Sequence, residues 1–167
     1  MTTPALRLPR DGLAVGLIAS ATVAVFYALF DFLAARGVLH TVNLLGRSII
    51  RGDRDPAILL LPIQADPGAI VLYSGLHLVL SLAIGVIVVR LLAQAERQPT
   101  QAALMVLAVV AGFVITILTV GYFTTPMRPL LPWWSTVVAN SLAVVVAGWF
   151  LIRRHPGLWR RLFPVRG

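Results

Sequence analysis

Four long apolar segments constrain this chain more than any other feature of its sequence. They cover residues 12–35, 67–89, 100–123 and 133–152, and Asp31 is the only charged residue inside them. A helix that crosses a bilayer needs about 20 predominantly apolar residues, and each segment reaches that length. The sequence therefore predicts an all-α membrane protein in which four transmembrane helices form a bundle.

The composition agrees with a membrane protein. Of the 167 residues, 59% are hydrophobic and 12% are charged, whereas soluble domains average about 45–50% apolar and about 25% charged residues. Cysteine is absent, which excludes disulfides, thiolate metal sites and cysteine nucleophiles. The longest stretch outside the four segments, residues 36–66, is too short to build its own core. We therefore expect residues 1–167 to form a single integral membrane domain.

The distribution of arginine predicts the orientation. All 14 basic residues are Arg, and an N-terminus in the cytoplasm would place nine of them on the cytoplasmic side and five outside. Cytoplasmic loops of membrane proteins carry an excess of Arg and Lys. We expect a multi-pass protein of the cell (inner) membrane with both termini in the cytoplasm.

The outer loop, residues 36–66, contains a segment with helical periodicity. One face of residues 38–51 is apolar and another is polar, which predicts a short amphipathic helix at the membrane interface between the first two spans. The apolar face holds Val38, Val42, Leu45 and Ile49, and the polar face holds His40, Asn43, Arg47 and Arg51. Such a helix serves as a connector that covers the bundle or as a docking surface for a partner protein; the connector is the simpler interpretation.

The tail, residues 153–167, is basic and carries apolar side chains among its charges. Basic groups beside an anionic leaflet contribute about 1 kcal/mol each, so we expect the tail to lie on the cytoplasmic lipid surface. The residues assigned to this contact are Arg153, Arg154, Arg160, Arg161 and Trp159. No aromatic stacking platform accompanies the charges, and we expect no nucleic-acid binding.

Polar side chains inside the spans concentrate toward the outer side of the membrane. From the rise of about 1.5 Å per residue, Asp31 lies about 6 Å and His77 about 15 Å below the outer ends of their spans. Ionisable groups inside a membrane are functional candidates by default. The candidate polar site consists of Asp31, His77, Asn140, Ser74, Ser81, Thr116 and Thr119. For Asp31 we expect a partner from another element: Arg47, Arg51 or Asn140.

Small residues recur at every fourth position of the first span: Gly12, Gly16, Ser20, Ala24 and Ala28. Such a stripe allows a second helix to approach closely. We expect it to form a helix–helix contact, either with a neighbouring span or with another chain.

No catalytic motif is present, and neither a metal nor a cofactor is predicted. A haem held by two histidines needs a second His inside the spans, and His77 is the only one there. We expect a non-enzymatic accessory or scaffolding subunit whose partners are the lipid bilayer and another membrane protein chain or a second copy. The alternatives are a small-solute or proton-coupled carrier with an outward-facing polar site, and a membrane enzyme that binds a lipid or cofactor.

Overall fold

The computed structural model describes residues 8–53, 55 and 63–155, and the regular structure in these ranges is entirely helical. The helices are α1 (Leu8–Leu33), α2 (His40–Gly46), α3 (Pro67–Arg97), α4 (Ala102–Phe123) and α5 (Trp133–Arg154). Four of them, α1, α3, α4 and α5, are long and apolar enough to cross a membrane. The prediction of an all-helical chain with four long apolar helices is confirmed, although α1 begins earlier and α3 extends further than expected.

The ends of α3 follow from its sequence. Asp66 caps the helix, because its carboxylate accepts a hydrogen bond of 2.9 Å from the Ala69 N–H, and Pro67 fits the first turn, where no N–H partner is needed. Arg90 does not end the helix, since its side chain is exposed. The helix stops at Arg97 because Gln98 precedes Pro99, and a residue before proline avoids the helical conformation.

Helix α1 lies at the centre of the bundle, with α3 on one side and α5 on the other. The side of α5 that faces inward carries small residues at every fourth position, and these are buried: Ser135, Ala139, Ala143 and Ala147. Helix α4 lies at the edge, where it touches α3 and α5, and none of its most apolar stretch is buried.

Two hydrophobic clusters mark the two ends of the bundle. The proximal end, where α1 begins and α5 ends, contains Val15, Val89, Ala95, Ala102, Ala147 and Leu151. The distal end, formed by α2 and the turn between α4 and α5, contains Leu44, Leu45, Met127 and Leu131. Elsewhere the bundle presents large apolar side chains to its surroundings, and Leu33, Val71, Leu118 and Val145 are each between 65% and 82% exposed.

Candidate functional site

A close contact between helices joins α1 to α3 at the glycines of the small-residue stripe. A Cβ atom added to Gly16 would lie 2.5 Å from the Cα of Leu82, and one added to Gly12 would lie 2.7 Å from the Cα of Val86. Both distances are shorter than real Cβ contacts. The backbones therefore meet at a separation that only glycine permits.

Toward the distal end, the same stripe lines a cavity. Ser20, Ala24 and Ala28 form part of the wall of a cavity of about 410 Å³ between α1, α2 and α3. The cavity is partly open to the surroundings and mainly apolar. Small side chains thus bring α1 and α3 together at the proximal end and leave room between them at the distal end.

Three residues of the predicted polar site, Asp31, Ser74 and His77, line this cavity together. Further polar side chains in the wall are those of Ser20, Tyr27, Thr41 and Tyr73. The remaining wall is apolar and comes from Val23, Val25, Val38, Leu39, Val42, Leu45 and Ile70, besides the two alanines.

Asp31 is 1% exposed and holds α2 against the end of α1. Its Oδ2 accepts a hydrogen bond of 2.6 Å from the backbone N–H of Thr41, and its Oδ1 accepts one of 2.7 Å from the Thr41 hydroxyl. Helix α2 has no cap from its own N-terminal neighbour Leu39. The Asp31 carboxylate therefore caps the first turn of α2.

The cationic partner of Asp31 is Arg36, with Nη2 3.9 Å from Oδ1. The three expected partners, Arg47, Arg51 and Asn140, are wrong, although Thr41 does come from another element. Arg36 lies beside Asp31 because α1 ends in a turn that folds the chain back. The N–H of Arg36 donates to the carbonyl of Asp31 and that of Ala35 to Phe32, each at 3.0 Å. This pair of bonds, with a left-handed residue at Ala35 (φ 54°), is the Schellman ending of a helix.

The three partners expected for Asp31 are engaged elsewhere. Arg47 pairs with Asp53 at 2.8 Å, and Arg51 pairs with Asp66 at 2.9 Å. Asn140 donates to the carbonyl of Thr136 within its own helix, at 2.8 Å.

His77 stacks on Tyr73, with ring centroids 6.3 Å apart and the planes inclined by 16°. Its Nε2 is buried and has no hydrogen-bond partner in the described part of the chain. A buried polar atom without a partner costs about 1–3 kcal/mol. This atom is therefore a polar group of the cavity wall that the described part of the chain leaves unsatisfied.

The remaining residues of the predicted polar site lie away from the cavity. Thr116 donates to the carbonyl of Gly112 within α4, and Thr119 is exposed on the same peripheral helix. Ser81 lies beside Gly16 near the close contact of α1 with α3. The structure thus gathers the members that α1 and α3 contribute toward the distal end and leaves out those of α4 and α5.

Helix α2 is tied to the start of α3 rather than lying free. The Asn43 side chain accepts from the Asp66 N–H at 2.9 Å and donates to the carbonyl of Gln64 at 3.2 Å. The Arg51 guanidinium and the Ala69 N–H bond the Asp66 carboxylate and lower its pKa to about 2. These contacts fix α2 across the distal end of the bundle.

The helical segment after α1 begins two residues later than predicted and has two parts. After α2 the chain continues as a π-helical turn over Arg47–Arg51, which ends at Gly52 with φ of 80°. Asn43, from the predicted polar face, is 4% exposed, whereas Val38 and Ile49, from the predicted apolar face, are 50% and 42% exposed. Asn43 is buried because its amide hydrogen-bonds to the chain before α3. The interfacial position of this segment stays a prediction.

A second buried carboxylate, Asp11, lies at the proximal end and was missed by the sequence analysis. Its Oδ1 is 3.0 Å from Arg154 Nε, and its Oδ2 is 3.1 Å from His155 Nε2. Asp11 and His155 are 1% and 4% exposed. The signal available in the sequence was that α1 begins and α5 ends on the same side, which brings an acid in the first turn of α1 close to the bases at the end of α5.

The tail residues assigned to the lipid surface divide into two groups. Arg154 turns inward to Asp11, whereas Arg153 lies over the ring of Trp149 at 4.2 Å. Arg160, Arg161 and Trp159 lie outside the described residues.

The comparisons with known proteins give no guide to the chemistry of this site. Neither protein-family models, nor curated proteins, nor solved structures match the chain. Within the described ranges, no group of three His, Asp or Glu residues is arranged to hold a metal ion. What the cavity offers is space, apolar surface and uncharged hydrogen-bonding groups.

Proposed function

We propose that α1, α3, α4 and α5 cross the cell membrane, with the distal end outside and both chain termini in the cytoplasm. The exposed apolar side chains on all four helices support insertion, because a large continuous apolar surface marks contact with a membrane or another protein. The excess of Arg at the proximal end supports the orientation. In this arrangement α2 lies at the outer interface.

Reporter fusions test the orientation. A cytoplasm-active fluorescent protein fused after Gly167 is expected to fluoresce, and a phosphatase that is active only outside the cytoplasm is expected to be active after Gly52. The reverse pattern at both positions would overturn the orientation. Release of the full chain by alkaline carbonate extraction would overturn the insertion itself.

Within the membrane we propose a non-enzymatic accessory or scaffolding role. The observation that carries this proposal is that both buried carboxylates serve packing: Asp31 holds α2, and Asp11 joins α1 to the end of α5. Neither is left free for acid–base chemistry. A protein whose ionisable groups are used in this way acts through its assembled shape.

The size of the protein in a mild detergent tests the accessory role. Light scattering after gentle extraction from its own membrane is expected to show a particle that contains more protein than one chain. A particle with the protein mass of a single chain would contradict the accessory role. The same protein expressed alone serves as the control for self-association.

A carrier is the second candidate, and the cavity is the observation that favours it. The packing at the proximal end argues against a carrier. There α1 and α3 touch at Gly12 and Gly16. Apolar side chains fill the interior, namely Val15, Val89 and Leu151. This apolar packing closes the route from the cavity to the other side. The cavity therefore favours binding over passage.

A further inference from the structure

The cavity between α1, α2 and α3 has the size of a ligand-binding site. Its volume of about 410 Å³ falls within the range of roughly 300–1,000 Å³ that is typical of small-molecule sites. Like those sites, it combines a mainly apolar wall with a few polar groups. It is also partly open to the surroundings.

The charges of the wall favour an uncharged ligand. No arginine is among the described residues that line the cavity, so an anionic head would meet no cation there. Among the described residues of the wall Asp31 is the one acid, and its two oxygens accept hydrogen bonds from Thr41 with Arg36 nearby. A cationic head would have to displace these contacts.

The polar groups that remain available are neutral and lie on the two facing helices. Ser74 and His77 are three residues apart on one side of α3, and Ser20 lies opposite on α1. Ser20 and Ser74 contribute hydroxyl groups to the wall, and His77 Nε2 is a buried atom without a partner among the described residues. A buried group of this kind points to a missing water or ligand.

We propose that this cavity binds a neutral amphipathic lipid: a molecule with an aliphatic body and an uncharged hydrogen-bonding end, of the class of monoacylglycerols and fatty alcohols. The aliphatic part lies against Val23, Val25 and Ile70, and the polar end bonds Ser20, Ser74 and His77. The inference rests on the proposed membrane insertion, which brings lipid to the cavity. It does not depend on the accessory role.

Photolabelling of the full chain in lipid vesicles tests the proposal. The probe is a monoacylglycerol that carries a diazirine and an alkyne in its acyl chain, and the labelled peptides are identified by mass spectrometry. We expect labelling within residues 20–31 and 70–77. Unlabelled monoacylglycerol is expected to displace the probe at least about tenfold better than its phosphorylated, anionic counterpart, a difference that one uncompensated charge readily produces.

Two alanines of α1 provide a matched pair of variants. Ala24 lines the cavity, whereas Ala21 is exposed on the same helix and does not line it. Ala24→Leu fills the space and is expected to lower specific labelling at least about tenfold. Ala21→Leu adds the same atoms outside the cavity and is expected to change labelling by less than about twofold.

His77→Phe tests the polar end and remains informative if Ala24→Leu does not fold. The variant keeps an aromatic ring against Tyr73 but removes both ring nitrogens. Loss of one hydrogen bond is expected to weaken labelling by about three- to tenfold.

Three results would overturn the proposal: unchanged labelling in Ala24→Leu, unchanged labelling in His77→Phe, or equal displacement by the neutral and the anionic lipid. Carbonate extraction of the same samples distinguishes a cavity that binds no neutral lipid from a chain that is not inserted in the membrane. A chain that stays in the membrane but shows one of these three results contradicts the cavity ligand alone.

Discussion

At the residue scale, Asp31 illustrates how a carboxylate is accommodated within an apolar protein. It accepts both a backbone and a hydroxyl hydrogen bond from Thr41, and the turn after α1 brings Arg36 alongside it. Its presence near the end of α1 could be predicted from the sequence, but its cationic partner could not. On a continuous helix Arg36, five positions later, would point away from Asp31. The Schellman turn that brings it back has Ala35 in place of the usual glycine, so the sequence does not indicate the turn.

Replacement of Asp31 tests its role as the cap of α2. Asp31→Leu is expected to lower the free energy of unfolding by about 1–3 kcal/mol, because the buried N–H of Thr41 loses its acceptor. Asp31→Asn retains one acceptor and is expected to lose less. The measurement is thermal or denaturant unfolding in detergent, and a stability of Asp31→Leu equal to the unchanged protein would refute the cap.

The left-handed conformation of Ala35 predicts a substitution that stabilises the protein. A non-glycine residue in this conformation costs roughly 1–2 kcal/mol, and Ala35 adopts it with φ of 54°. Ala35→Gly relieves the strain but adds freedom to the unfolded chain, so we expect a net gain of about 0.5–1 kcal/mol. Unfolding in detergent measures it. Ala34→Gly, in the adjacent turn, serves as the control and is expected to bring no gain.

At the scale of the elements, the packing of α1 against α3 depends on two positions of α1 that have no side chain. Gly12 and Gly16 let the backbone of α3 approach to a distance that excludes a Cβ. The sequence stripe indicated a close helix contact without naming the partner, because periodicity describes one helix at a time. The matching small residues of α5, from Ser135 to Ala147, carry the same four-residue spacing and were overlooked.

Two glycines offer a matched test of the contact between α1 and α3. An added Cβ at Gly16 meets backbone atoms of Leu82 at 2.5 Å, whereas one at Gly75 meets nothing within 4 Å. We expect Gly16→Ala to destabilise the protein by about 1–3 kcal/mol through overpacking. Gly75→Ala is expected to be neutral or to stabilise it by up to about 1 kcal/mol. Equal unfolding temperatures of the two variants would show that the close contact is not present.

At the scale of the whole molecule, the length and apolar content of the segments were enough to predict four long helices. The cavity could not be predicted from length and apolar content. It depends on how α1, α2 and α3 are placed relative to one another. Ser20, Ala24 and Ala28 look like a continued contact in the sequence. In the structure they line the cavity between α1, α2 and α3.

The link between the two ends of the chain provides a prediction at this scale. Asp11→Leu removes the ion-pair partner of Arg154 and the hydrogen-bond partner of the buried His155, and we expect it to lower the free energy of unfolding by about 1–3 kcal/mol. Asp53→Leu serves as the control, because it breaks the partly exposed pair with Arg47, and such pairs contribute about 0–1 kcal/mol. Unfolding in detergent compares the two. An Asp11→Leu variant no less stable than Asp53→Leu would contradict a structural link.

The two buried carboxylates differ in how much chain separates them from their partners. Asp31 meets Thr41 only ten residues later, whereas Asp11 and His155 are 144 residues apart. For a flexible chain, closing the longer loop costs about 2 kcal/mol more entropy than closing the shorter one. During synthesis from the N-terminus, Asp31 has its partner almost at once, while Asp11 waits for Arg154 and His155 until all four long helices have been made. The distal link between Asp31 and Thr41 can thus form early in assembly. The proximal link from Asp11 to Arg154 and His155 can form only at its end.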